Sequence, residues 1–306
     1  MMILERNKSY KGDCIELMKF LPDESVDVIC TDPPYLYLKN QKLDRPFDEK
    51  AYFDQVKRVL KKDGFIILFG RGTSFYRWNT ILADLAFTFK EEIVWDKLYT
   101  SSPVLPVSRI HETISIHTKG NGRINKHKVD YIDAKGYDIS KMIDDINRIK
   151  TAFNNNEHFE KIEKYLLKKK REDYIDTRFA TTHSVTFSSK RLGSQVVNPV
   201  QSMVEGMNEK DIIRLRREHY HSIHPTQKPP RLLERLLALV CKIDSNKPKP
   251  LVLDTFRGSA STDIACMNFG VDCISFEIDD EYFEKGEERK AEHRKNLQPD
   301  LFKVAL

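Results

Sequence analysis

The apolar run Val26-Asp27-Val28-Ile29-Cys30 stops at Thr31-Asp32-Pro33-Pro34-Tyr35, and few continuations are open to a chain that does this. Two consecutive prolines fix φ and withhold two amide donors, so a buried strand ends there and does not pass directly into a helix. The carbonyls of Asp32 and Pro33 are then left to point into a cleft beside the Asp32 carboxylate, and Tyr35 follows as a flat aromatic face. Acceptors for an exocyclic amine next to a stacking plate describe a pocket for an amino-bearing nucleobase. Asp and Pro are also ordinary turn residues, and the choice between pocket and plain turn rests on the flanking chain.

The flanks alternate strand and helix. Lys8 to Asp13 reads as a short strand ending in Gly-Asp, Ile15 to Leu21 as a short helix, and Leu36 to Asp44 as a polar loop covering the cleft. Phe47 to Lys62 is helical, with Phe53, Val56, Val59 and Leu60 on one side, and Phe65 to Phe69 is a fully buried strand. A helix over Thr73 to Ala86 and strands at Glu92–Trp95 and Thr113–Ile116 complete the first part, in the pattern of an open parallel sheet. The texture then changes. Ile139, Ile143, Ile146, Ile149 and Phe153 stand at helical spacing, as do Phe159, Ile162 and Leu166 after an Asn-Asn-Asn break, which predicts a helical hairpin. Arg178 to Val200, rich in Thr, Ser and Val, reads as strands and loops.

The sheet pattern resumes after His224-Pro225-Thr226-Gln227-Lys228-Pro229, which introduces an amphipathic helix over Arg231 to Lys242. A strand from Pro250 then runs through Asp254-Thr255-Phe256-Arg257-Gly258-Ser259-Ala260 into a helix over Ser261 to Asn268. The amides and dipole of that helix start can receive an anion. Nineteen residues past Gly258 the next strand ends in Glu277, where Rossmann-like sheets place an acid on a pair of ribose hydroxyls. Glu277 also stands where an acid caps the helix starting near Asp279. No Gly-x-Gly-x-x-Gly is present, so a dinucleotide is not favoured.

Composition excludes several other classes. At 306 residues with 40% hydrophobic content the chain can bury a substantial core. It has no run approaching eighteen apolar residues and no apolar leader, so the cytoplasm is the expected compartment and no membrane contact is expected. Cys14, Cys30, Cys241, Cys266 and Cys273 form no Cys-x-x-Cys and read as reduced core thiols, and the nine histidines form no nucleophile or metal constellation, so no metal is expected. Of the net charge of +5, all lies between residues 121 and 218, with 20 Lys+Arg against 15 Asp+Glu, compared with 31 against 31 elsewhere. A polyanion-facing segment, with Lys190 and Arg191 among its cations, is expected there, a solvated surface being the alternative.

Taken in this order, Asp-Pro-Pro-Tyr, the His224 to Pro229 segment and the Asp254 to Ser259 turn resemble the β-class amino-methyltransferases of DNA, across nearly all of residues 10 to 285. The resemblance implies an α/β fold, a Rossmann-like S-adenosylmethionine-dependent methyltransferase sheet, mostly parallel with an antiparallel strand, plus an inserted target-recognition region. It implies a catalytic half over 1–120, a target-recognition insert over 121–218 and a cofactor-binding half over 219–306. Asp32, Pro33, Pro34 and Tyr35 would hold a flipped base. S-adenosyl-L-methionine would lie on Asp254, Phe256, Gly258, Ser259 and Glu277, with Asp13 beside its adenine and Thr226 and Lys228 at its methionyl end. Asp13 also reads as a plain turn acid. Thr255 replaces a usual proline and Ala260 a usual glycine, which is expected to alter the turn, and Arg257 is expected in solvent.

The implied partner is double-stranded DNA, with a cognate restriction enzyme as a further candidate and the oligomeric state open. Asp at the first motif position usually accompanies adenine N6 transfer in this family and Ser cytosine N4 transfer, so Asp32 favours adenine. Cytosine N4, an RNA or protein-glutamine substrate, and an inactive DNA-binding relative are the alternatives.

Overall fold

Strand β2 (Val26–Thr31) lies inside a sheet covered on both faces, and its alternation shows why Val28, Ile29 and Cys30 are apolar in succession. Val28 and Cys30 enter one core cluster and Ile29 the other, so neither face meets water. The computed structural model describes residues 3–35, 44–99, 106–136, 138–153, 194–217, 223–224 and 226–297. It divides into two units, residues 1–126 with 211–306, and residues 127–210. These boundaries fall inside the 121–218 expected for the insert. Asn125 donates to the carbonyl of Leu239, and Ile212 pairs with Val94, which ties both flanks to the first unit.

In the first unit β1 (Lys8–Lys11), α1 (Cys14–Met18), β2, α2 (Glu49–Val59), β3 (Leu60–Gly70), α3 (Gly72–Asp84), β4 (Thr88–Asp96) and β5 (His111–Thr118) follow in order. In the second unit β6 (Lys128–Val129), α4 (Tyr131–Lys135), α5 (Ile139–Phe153), α6 (Ser194–Glu205) and β7 (Met207–Asn208) come next. The first unit resumes with β8 (Ile212–Arg214), α7 (Pro230–Val240), β9 (Leu251–Asp254), α8 (Ser261–Phe269), β10 (Asp272–Glu277) and α9 (Asp280–Leu297). The large sheet runs β1-β10-β9-β2-β3-β5-β4-β8. All neighbours are parallel except at β5, which is antiparallel to β3 and β4, so the expected mostly parallel sheet with one antiparallel strand is what forms.

Helices α1, α2 and α3 cover one face through Met18, Phe53, Val56 and Trp78, and α7 covers the other through Leu232, Leu233, Leu236 and Leu237. Two elements depart from expectation. β3 begins at Leu60, not Phe65, because the buried Leu60 pairs with Val26 and ends α2 three residues early. Ser194 to Val200, expected among strands and loops, opens α6. Its valines suggested strand, yet Val197, Val200 and Val204 recur at helical spacing and no glycine intervenes before Gly206. Of the expected hairpin, the first leg is α5, and the second lies outside the described residues.

In the second unit β6 and β7 pair antiparallel. Asp145 on α5 gathers Lys135 at 2.6 Å, Arg148 at 3.4 Å and the Tyr131 hydroxyl at 2.8 Å, fastening α4 to α5. All five cysteines are buried free thiols, and burial pushes those of Cys14 and Cys241 up to about 12. Among the described residues no helix is long and apolar enough to cross a membrane.

Arg257, expected in solvent, is buried. Its guanidinium donates to Asp263 at 3.1 Å, Glu287 at 2.6 Å and the Phe283 carbonyl at 3.1 Å, and lies over the Phe283 ring. Planar donors met by two carboxylates and a carbonyl suit a guanidinium better than water does once α9 packs over the turn. Gly286 makes the room, since a Cβ there would stand 2.8 Å from Nη1. Gly→Ala inside a helix ordinarily gains up to ~1 kcal/mol. Here the pinned guanidinium cannot retreat, so Gly286→Ala should instead lower stability by about 1–3 kcal/mol in chemical denaturation. A stabilised Gly286→Ala protein would show that Arg257 is free to move.

Candidate active site

β2 and β9 are neighbours in the sheet, yet the chain leaves them in opposite directions, β2 toward β3 and β9 toward β10. A crevice opens at the carboxyl ends of strands wherever the order reverses in this way. Its cavity of about 270 Å³ is lined by the turns after β2 and β9, the end of β10 and the start of β5. Beneath it three buried hydroxyls close a triangle, Thr31 to Thr255 at 2.8 Å, Thr31 to Tyr52 at 3.1 Å and Tyr52 to Thr255 at 2.7 Å. The triangle ties the two turns to each other and to α2. Ser74, in the first turn of α3, donates to the Tyr35 carbonyl at 2.7 Å and fixes the far end of the Pro-Pro segment.

Asp32 is engaged through both oxygens. Tyr35 donates its hydroxyl to Oδ1 at 2.5 Å, and Lys228 Nζ lies 2.5 Å from Oδ2. Lys228, placed by sequence at the cofactor's methionyl end, thus stands on the first residue of the Asp-Pro-Pro-Tyr segment. Tyr35 also does more than offer a face, although its ring still lines the crevice with Pro33 and Pro34. Behind Lys228 is Glu112 on β5, with Oε2 at 3.1 Å from Nζ, and behind that Lys97, 3.2 Å from Oε1. The side chains of Lys228 and Lys97 are only 8% and 6% exposed. Burial pushes the Asp32 carboxyl up, more than Lys228 lowers it, and Glu112 adds to the rise. Burial also acts on Glu112, but the ammonium groups of Lys228 and Lys97 outweigh it and hold that carboxyl low.

The second half of the crevice is built on β9 and β10. Glu277 accepts from the Gly258 amide through Oε2 at 2.8 Å and from the Asp279 amide through Oε1 at 2.8 Å. It therefore does cap the chain leading into α9, while each oxygen keeps lone-pair capacity toward the cavity. Gly258 has φ +52°, which glycine adopts without strain. Asp13 caps α1 through Oδ1, accepting from Ile15 at 2.9 Å and Glu16 at 3.1 Å, and lines the same cavity. Phe256 packs against Phe47 and Tyr52 with ring centroids 5.3 and 5.5 Å away. Ser259 is buried, its carbonyl accepting from Arg289 at 2.8 Å, and Ala260 takes φ +61°, the left-handed backbone that a glycine would adopt freely.

Thr226 donates its amide and hydroxyl to His224 Nδ1, and the His224 ring packs edge-on to Tyr282 at 4.4 Å. Burial, with Lys228 adding, lowers the His224 pKa to about 4, so the ring is neutral near pH 7. Lys190 and Arg191 lie outside the described residues. Sequence reasoning missed Glu112, Lys97 and Tyr52, which belong to no motif.

A family model described as a DNA methylase, its name covering N6 and N4 enzymes, matches residues 26–288. The chain belongs to this DNA methylase family. It is 26% identical to the type II methyltransferase M.HinfI of Haemophilus influenzae over 95% of this chain and 70% of that protein. It is 24% identical to M.BglII of Bacillus subtilis over 90% of this chain and 66% of the relative. Among solved structures, the cytosine-N4-specific PvuII DNA methyltransferase superposes with a TM-score of 0.54 at 15% identity, covering 96% of this chain and 93% of that one. A DNA modification methylase of Thermus thermophilus, complexed with S-adenosyl-L-methionine, gives 0.54 at 17% identity, covering 94% and 93%. At such identities the structural likeness is one of fold.

One acid lining the crevice has a pH signature. Burial pushes the Asp254 carboxyl up to about 7, although Phe256 donates its amide to Oδ1 at 3.1 Å. The folded state thus keeps a proton that the unfolded chain, with an ordinary pKa near 3.8, gives up. Its contribution to stability must fall as pH rises from about 4 to about 7 and level off above. Asp254→Asn carries no such proton, so its stability relative to wild type should climb over that window in urea titrations. A pH-independent difference would show that Asp254 ionises normally.

Proposed function

We propose that the chain is a site-specific DNA methyltransferase acting on adenine N6 of double-stranded DNA, with S-adenosyl-L-methionine as methyl donor and the target base flipped into the crevice. The observation that carries this reading is Asp32 at the switch point, facing the same cavity as Glu277. An exocyclic amine is a poor nucleophile because its lone pair is delocalised into the ring. Asp32 accepting one N–H and the Pro33 carbonyl another would draw the nitrogen toward tetrahedral geometry and aim the lone pair. The ring would lie against Tyr35. As the new N–C bond forms, the amine surrenders a proton, and the Asp32 carboxylate is the base within reach.

The residues present suit the donor. Glu277 has acceptor capacity for a ribose hydroxyl pair, Phe256 offers an apolar wall for the adenine with Asp13 at its edge, and the Gly258 turn with Ser259 leads into α8, whose amides suit a carboxylate. When bound, S-adenosyl-L-methionine supplies a methyl on a sulfonium, and holding it beside the amine contributes proximity and orientation. Lys190 and Arg191, in the basic stretch, are proposed to contact phosphates. A flipped base is the general solution for enzymes that work on an atom buried in a duplex. The choice of adenine rests on Asp at the first motif position, and cytosine N4 is the second reading.

Mass spectrometry of nucleosides from unmodified DNA incubated with the protein should show N6-methyladenine. N4-methylcytosine in its place would show the adenine assignment to be wrong. Asp32→Ala should abolish transfer while leaving S-adenosyl-L-methionine affinity intact, since the carboxylate acts on the amine and not on the donor.

Glu277→Ala tests the other half. Loss of a charged hydrogen-bonding partner for the ribose costs about 1.5–3 kcal/mol, roughly a tenfold to hundredfold weaker affinity by calorimetry. A folded Glu277→Ala protein with undiminished affinity would remove Glu277 from the donor site.

A further inference from the structure

The same Asp32 oxygen that would accept the target amine is taken by Lys228 Nζ, 2.5 Å away. An ammonium there is the chemical double of the amine, an N–H donor presented to a partly desolvated carboxylate. Left alone, Asp32 would be an unpaired charge in a crevice, and Lys228 prevents that. The base, however, cannot use Oδ2 until Lys228 lets go, and a buried ammonium does not leave for water without another partner.

Glu112 is such a partner. Its Oε2 is buried with no hydrogen-bond donor aligned on it, yet it stands 3.1 Å from the same Nζ and lines the same crevice. The opposite oxygen, Oε1, is held by Lys97 at 3.2 Å, so Glu112 is oriented from behind with Oε2 facing Lys228. Nζ already lies within hydrogen-bonding distance of both carboxylates, so a shift of its balance toward Glu112 by turning its three N–H donors, with no change in protonation, would exchange one carboxylate for the other.

We propose that Glu112 is a positioning residue that receives the Lys228 ammonium when the target amine takes its place on Asp32. The inference rests on the methyltransferase reading. It makes Lys228 a placeholder in the free enzyme and Glu112 the group that makes its departure possible, a role distinct from holding the donor.

The test uses the full chain, unmodified plasmid DNA and radiolabelled S-adenosyl-L-methionine. Glu112→Gln keeps the shape but removes the receiving charge, so Lys228 stays on Asp32. The expected result is a loss of at least tenfold in kcat/KM for DNA with donor affinity unchanged by calorimetry. Adding Lys228→Met to Glu112→Gln removes the competitor and should recover part of that loss. In the double variant, and in Lys228→Met alone, the acid limb of the pH profile should move to higher pH, because Asp32 has lost its cation.

A merely structural Glu112 predicts the opposite, a double variant as poor as or poorer than Glu112→Gln, and that result overturns the exchange. So does a Glu112→Gln enzyme within twofold of wild type. If Glu112→Gln does not melt cooperatively, Glu112→Asp serves. It retains the charge one methylene further away, and an undiminished rate would overturn the proposal. A wild-type protein that binds the donor but leaves plasmid DNA unmethylated overturns the methyltransferase reading itself, whereas failure confined to the variants overturns only the role of Glu112.

Discussion

The parallel contact of Val28 and Ile29 with Val252 and Leu253 joins strands more than two hundred residues apart in the chain, and the site exists because of it. Each strand ends an apolar stretch, Val28 to Cys30 in β2 and Leu251 to Leu253 in β9, in polar residues, Thr31-Asp32 and Asp254-Thr255. Pairing the apolar parts brings the polar ends together at one edge, where the chain departs in opposite directions and a crevice opens. The hydroxyl triangle of Thr31, Tyr52 and Thr255 then holds the two turns at a fixed separation. Each such bond contributes only about 1 kcal/mol net, but leaving one of these buried hydroxyls without a partner costs about 1–3 kcal/mol, which favours the closed triangle over any splayed arrangement.

Charge in the crevice follows a similar logic. Asp32, Lys228, Glu112 and Lys97 alternate in sign along a chain of contacts of 2.5, 3.1 and 3.2 Å. Removing one member of a buried pair costs roughly 3–5 kcal/mol because the remaining charge is stranded. Two acids and two bases therefore hold one another in place, and Asp32 is the end member of the row, facing the crevice. Burial pushes Asp32 toward its neutral form, offset in part by the cation beside it. Such a group is poised to exchange one hydrogen-bond donor for another.

Much of this was legible in the sequence, for identifiable reasons. Pro33-Pro34 after an apolar run, and Gly258 followed nineteen residues later by Glu277, are local signals, because turn chemistry and strand length act over a few residues. The parallel sheet with one antiparallel strand followed from the same alternation. Glu112 and Lys97 were not legible, since their meaning comes from β5 running antiparallel beside β3 and β4, a pairing that periodicity does not encode. Arg257 was misjudged because the carboxylates that bury it, Asp263 and Glu287, come six and thirty residues later, and Gly286 reads as an unremarkable helical glycine. Leu60 was given to a helix it could have continued, until pairing with Val26 claimed it for the sheet.

The two departures in the turn after β9 are absorbed locally. Proline at 255 would stiffen the turn by fixing φ, whereas Thr255 adds a hydroxyl that bonds Thr31 and Tyr52 and so restrains the same segment from below. Ala260 at φ +61° bears a left-handed strain of about 1–2 kcal/mol. Against this, its methyl is fully buried, a gain of roughly 0.8 kcal/mol, and alanine forfeits about 0.5–1 kcal/mol less chain entropy than glycine on folding. The terms nearly cancel. Alanine can therefore occupy the glycine conformation without reshaping the turn, and the amide of Gly258 still reaches the Glu277 carboxylate at 2.8 Å. The turn that leads into α8 thus holds its conformation with a threonine and an alanine at these two positions.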